Sequence, residues 1–145
     1  TLEFKRFDIQ DGIGVKMLIW GGLKVALVTG RPSEATAIRA LELGVECYQV
    51  VDAKKLPIVE DLIRRYAITW NEVAMLADDI PDLAVLRKAG LKAAVSNATE
   101  PVLTIADWTS SRPGGHGAAR EFTDALLNAR SELDNVIESY VEERS

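Results

Sequence analysis

Short apolar runs alternate along this chain with segments whose apolar residues recur every three or four positions, the pattern of strands interleaved with helices. Leu2, Phe4 and Phe7, set among charged residues, predict a short strand with one covered face. Asp11 is placed to cap a helix over Val15 to Trp20, which Gly21 and Gly22 end with a left-handed turn. The run VALV ahead of Thr29-Gly30-Arg31 reads as a buried parallel strand. Pro32 and Ser33 open a helix with Ala37, Ala40, Leu41 and Leu43 on its inner face, and Gly44 closes it. Strands over 45–51, 73–79, 92–98 and 107–111 then alternate with helices over 55–67 and 82–90 and a short helix started by Pro101. A glycine loop leads into the last helix. This order predicts an α/β fold, a mostly parallel sheet covered by helices on both faces.

Ligands of such sheets bind beyond the carboxyl ends of the strands. Three predicted ends carry chemistry: Thr29, Gly30 and Arg31 after the first apolar run, Asp52 and Lys54 after the second, and Asp78 and Asp79 after the third, with Asp82 one turn on. Singly, Thr29 suits a turn, Lys54 a solvated helix start, and the aspartates helix caps. Together they match what phosphoryl transfer requires, carboxylates for Mg²⁺ with a lysine and a hydroxyl for the phosphate oxygens. A carboxylate nucleophile would complete the set.

Composition narrows the partners. With 145 residues, 48% hydrophobic and 27% charged, one domain over 1–145 is expected. A net charge of −5 argues against nucleic acid. No apolar run approaches the roughly 20 residues of a membrane span, and no signal-peptide segment opens the chain. Cys47 is the sole cysteine, so a cytoplasmic protein acting on a small molecule is expected. His116, the only histidine, has no serine or cysteine in a recognisable elbow, which excludes a hydrolase triad. Trp20, Trp70 and Trp108 read as core or interface residues.

VALVTGR, DAKKL and VAMLADDIPDLAVLRKAG, in that order, resemble the second, third and fourth motifs of the haloacid dehalogenase superfamily. FDIQDGIGVKML, ALELGVECYQVV, the stretch AVSNATEPVLTIADWTSSRPGGHGAAREFTDALL and the lack of a cap insertion are similar to its capless subfamily of 3-deoxy-D-manno-octulosonate 8-phosphate phosphatases. The likeness runs from about Phe4 to Leu127. It implies a Rossmann-like fold and Mg²⁺-dependent hydrolysis of a phosphorylated sugar acid through an aspartyl-phosphate. By the same resemblance Thr29 binds the phosphoryl group, Gly30 and Arg31 contact substrate, and Lys54 stabilises the phosphate. Asp78 ligates the metal, with Asp79 and Asp82 supporting it. Gly114, Gly115, Gly117 and Arg120 lie at the substrate mouth, where backbone amides and a guanidinium suit an anion; the same PGGHG stretch also reads as a flexible turn. The resemblance further implies a homotetramer, with 1–10 the remnant of an oligomerisation hairpin and 128–145 a helical tail that extends the last helix or packs on a neighbour.

The chain departs from this pattern in its first motif. Family members carry an apolar strand ending in Asp-x-Asp-Gly, and no such motif occurs in the 145 residues. Asp8 and Asp11 are spaced too widely to replace it. The expectation is that the nucleophile strand lies ahead of Thr1 and that these residues alone turn over little. The alternative is a non-catalytic oligomerisation domain that has lost the nucleophile. A receiver-like domain fits less well, since its acid pair would follow the first strand. Val50 and Ala77 also stand where glycines are usual.

Overall fold

The computed structural model describes residues 8–31 and 33–145, so the expected strand over 2–7 lies outside the described residues. The chain runs through α1 (Ile9–Trp20), β1 (Ala26–Thr29), α2 (Glu34–Leu43), β2 (Glu46–Gln49), α3 (Lys55–Arg65), β3 (Ala74–Ala77), α4 (Leu83–Leu86), β4 (Leu91–Ala94), α5 (Glu100–Ile105), β5 (Trp108–Thr109), α6 (Ala118–Ala129) and α7 (Leu133–Glu143). Every strand pairing is parallel, as expected for apolar strands joined by helical crossovers. Among the described residues the strands form two sheets, β1-β2 and β3-β4-β5. Ala26 lies opposite Glu46 in the first, and Ala74 opposite Leu91 and Ala93 opposite Trp108 in the second.

Two apolar clusters sit against these elements. One joins Ala77, Ala94 and Val95 at the strand ends to Leu86, Val102 and Ala118. The other packs Met17 and Leu18 of α1 against Leu127 of α6 and Val136 of α7. Helices α1 and α6 approach closely because Gly14 has no side chain: a Cβ there would stand 3.1 Å from the Arg120 Cα and the Thr123 Oγ1.

Several sequence expectations need correction. The cap of α1 is Asp8, whose Oδ1 accepts from the Gln10 amide at 2.8 Å, so Ile9 and Gln10 are helical and not part of a hairpin. Asp11 instead serves α6. Its carboxylate accepts from the amides of Arg120 at 2.9 Å and Gly117 at 3.4 Å. The reason is local: α6 starts after Gly117, which brings no capping side chain, and its first amides need an acceptor. The inner face of α2 is narrower than its periodicity suggests, since Ala40 is buried but Ala37 is exposed and Leu41 is 82% exposed. The tail does not extend α6. Ser131, at φ 58°, turns the chain, and α7 folds back so that Tyr140 stacks 5.1 Å from Trp20 of α1. Among the described residues no helix is long and apolar enough to cross a membrane.

Removing the Asp11 carboxylate strands two amides at the start of α6, whereas removing that of Asp8 strands one. In urea unfolding, Asp11→Ala is expected to cost about 1–2 kcal/mol and Asp8→Ala about 1 kcal/mol or less. The reverse order would contradict the assignment of caps.

Candidate active site

The site is assembled from strand ends inward. At the end of β1, the Thr29 hydroxyl accepts from the Arg31 amide and donates to the Arg31 carbonyl, both at 3.2 Å, closing the turn that presents Gly30 and the exposed Arg31. The Thr29 carbonyl accepts from the Val50 amide at 2.9 Å, which ties this turn to the end of β2. Val50 is buried there, as is Ala77 at the end of β3, so both residues that replace usual glycines have packed side chains. After Val50 a single 3₁₀ turn over Val51–Ala53, with Asp52 in the left-handed region at φ 55°, delivers the chain to the start of α3.

Two lysines stand at that point, and the structure brings Lys55, not Lys54, to the acids. Lys54 is exposed ahead of the helix. The Lys55 ammonium donates to Asp82 Oδ1 at 2.6 Å, with side chains 12% and 6% exposed. The other Asp82 oxygen accepts from the amides of Asp78 at 3.1 Å and Asp79 at 3.4 Å. Asp79 in turn accepts from the Ile80 amide at 2.7 Å. Asp82 therefore holds both the acidic loop and the lysine, and Asp78, exposed at the end of β3, lies against it. The Asp78 carbonyl accepts from the Thr99 amide at 3.0 Å, which fixes the loop to the residues after β4.

The two acids titrate in opposite directions. Burial raises the Asp82 carboxyl, but hydrogen bonds from Lys55 and the Asp78 amide more than offset it, and the net shift is downward. Asp78 is raised, first by partial loss of water and then by its hydrogen bond to, and the charge of, Asp82. Asp78 is thus a carboxylate whose negative charge is poorly compensated by protein, and a hard cation suits such an oxygen. Among the described residues no three acidic, histidine or cysteine side chains gather into a metal cluster. Mg²⁺ commonly takes one or two carboxylates and keeps its waters, so Asp78 fits as a single protein donor.

The glycine loop hangs over the neighbouring strand end. Gly114 donates to Asn97 Oδ1 at 2.9 Å, just beyond β4. Gly115 at φ 76° and Gly117 at φ 101° adopt backbone open mainly to glycine. Glu121 accepts from the Ser111 amide at 2.8 and 2.7 Å and from the Arg112 amide at 3.3 Å. Burial raises the Glu121 carboxyl, yet the bonds from Ser111 and Arg112 carry it below its ordinary 4.5. A cavity of about 270 Å³ opens beside the loop, lined by Gln10, Arg112, Gly117, Arg120, Glu121 and Asp124. Lys55, Glu121 and Arg112 were not singled out from the sequence, and Asp11 was read only as a cap for its own helix. An adjacent-lysine pair ahead of a helix was the available signal for Lys55; the other three depend on contacts distant in sequence.

One strand end carries a threonine turn and another an acidic loop paired to a lysine, and comparison with known proteins gives the class. The model of the haloacid dehalogenase-like hydrolase family matches residues 50–122, and the chain belongs to that family. Within it the chain stands with phosphatases. It is 35% identical over 132 residues to the 3-deoxy-D-manno-octulosonate 8-phosphate phosphatase of Escherichia coli K12, covering 91% of this chain and 70% of that protein. Among solved structures it resembles a hydrolase of the superfamily's subfamily III A from Legionella pneumophila, with 36% identity, a TM-score of 0.90 and coverage of 95% and 76%. It also resembles the 3-deoxy-D-manno-octulosonate 8-phosphate phosphatase of Moraxella catarrhalis, solved with magnesium, phosphate and the sugar acid, with 34% identity, a TM-score of 0.90 and coverage of 96% and 80%.

Breaking the Lys55–Asp82 pair leaves a buried charge. Lys55→Met is expected to cost about 3 kcal/mol in denaturant unfolding, and Lys54→Met less than about 0.5 kcal/mol. Because the folded Asp82 lies below its ordinary 3.8, the stability it contributes is full above that value and is lost as pH falls through the lower folded value. Wild type should therefore lose more stability than Lys55→Met on acidification from about pH 5 to 3. Parallel losses in the two proteins would contradict the pairing.

Proposed function

We propose that the chain is a single hydrolase domain of a Mg²⁺-dependent phosphatase acting on a phosphorylated sugar acid, with 3-deoxy-D-manno-octulosonate 8-phosphate as the first substrate to test. The observation that carries the reading is the Lys55–Asp82–Asp78 arrangement at the strand ends, found in a chain similar to phosphatases of that substrate. Lys55 holds a fixed positive charge where phosphate oxygens would lie, and Asp82 orients it. The Thr29 turn offers Gly30 and a hydroxyl to the phosphoryl group. Asp78 would hold the metal, which when bound supplies positive charge to the reacting phosphate. The glycine loop with Arg120 borders the remainder of the substrate. A cytoplasmic homotetramer belongs to the same reading.

Hydrolysis through an aspartyl-phosphate needs an Asp-x-Asp-Gly strand, and a second reading is a non-catalytic assembly domain of the same fold without that strand. An in-frame apolar strand ending in Asp-x-Asp-Gly ahead of Thr1 supports the phosphatase; a native start at Thr1 supports the second reading. With that strand present, phosphate release is expected to stop on chelation of Mg²⁺. It should fall about 100-fold or more in Asp78→Ala and Lys55→Ala, and survive in Lys54→Ala. The 145 residues alone are expected to release little or none. Full release by Asp78→Ala and Lys55→Ala would show the site to be elsewhere.

A further inference from the structure

The loop from β5 to α6 holds the backbone of Arg112 on both sides, while its side chain, whose charge acts on Glu121, enters no ion pair among the described residues. Its amide is held by Glu121 at 3.3 Å, and its carbonyl accepts from the Ser110 hydroxyl, which itself accepts from the Ser96 amide at 2.9 Å. The Arg112 side chain then crosses Gly117, where an added Cβ would stand 3.0 Å from both its Cδ and its Nη1. So Gly117 gives both the turn and the floor on which this arginine lies.

The side chain ends in the cavity of about 270 Å³ beside α1 and α6, a space of small-ligand size. The acids around that cavity are already occupied. Asp11 takes the amides of Gly117 and Arg120, Glu121 takes those of Ser111 and Arg112, and Asp124 takes Arg120 Nε at 3.0 Å. The Arg112 guanidinium enters no ion pair among the described residues. Arg112 lines the cavity together with Arg120, Glu121 and Asp124, and its guanidinium carries the planar set of N–H donors that receives a carboxylate through two parallel hydrogen bonds. Gly114, tethered to Asn97 beyond β4, keeps this loop on the strand-end side of the fold, where Asp78 lies at the end of the neighbouring β3.

We infer that Arg112 is a specificity-determining residue that binds the carboxylate of the substrate, away from the phosphoryl group. This rests on the phosphatase reading for the substrate class. It assigns selection of a sugar acid over a sugar phosphate without a carboxylate to a side chain outside the strand-end motifs.

The test is direct binding of free 3-deoxy-D-manno-octulosonate to the full chain by titration calorimetry, with Arg112→Gln and wild type compared. Arg112→Gln is expected to weaken binding at least about tenfold, the equivalent of losing one charge-assisted contact. The methyl ester of the acid should bind wild type as weakly as the acid binds the variant, and inorganic phosphate should bind both proteins alike. Thermal unfolding, unchanged in the variant, would show that the fold is kept. Equal binding of the acid by the two proteins, equal binding of acid and ester by wild type, or no binding of the acid would overturn the assignment. Phosphate release from 3-deoxy-D-manno-octulosonate 8-phosphate by a chain that carries the Asp-x-Asp-Gly strand reads the phosphatase proposal separately.

Discussion

A single carboxylate organises the strand-end region. Asp82 is buried, and each of its oxygens has a different duty: one pairs with Lys55 from the β1-β2 half, the other fixes the Asp78 and Asp79 amides at the end of β3. Among the described residues no strand hydrogen bond joins the two sheets. The ion pair is therefore a polar link between halves whose backbones pair only internally. A buried pair is costly to break, because the partner left behind stays charged in poor solvent. The same bond that steadies the loop also fixes where the lysine charge lies.

A second carboxylate does similar work on the other side of the molecule. Asp11 lies in the first turn of α1 but satisfies the amides that begin α6. With Gly14 allowing the helices to touch, this contact sets the start of α6, hence the position of Gly117 and of the arginines beside it. The loop is thus tied to α1 through Asp11 and to α6 through Glu121. Both arrangements use acids to hold backbone.

Much of this was legible in the sequence. The apolar runs ahead of Thr29, Asp78 and Ser96 gave parallel strands because buried strands leave a continuous hydrophobic signature, and the polar residues that end them gave the acidic loop. Contacts between residues far apart in the chain were hidden. Asp11 looked like a cap for its own helix, as nearly every aspartate before an apolar run does, and nothing local indicates that α6 lacks a cap. The choice between Lys54 and Lys55 depends on where α3 begins, and a one-residue difference turns the side chain by about 100° around the helix. For the tail, periodicity alone could not show that Ser131 would adopt a positive φ and send α7 back over Trp20.

The link from Lys55 to the Asp78 loop is the contact on which the arrangement of the strand ends rests. The measurement that bears most directly on this is a double-mutant cycle of Lys55→Met and Asp82→Leu in denaturant unfolding. The account predicts a coupling energy of about 2–3 kcal/mol, with the double variant more stable than the sum of the single losses implies. Losses that simply add would contradict it.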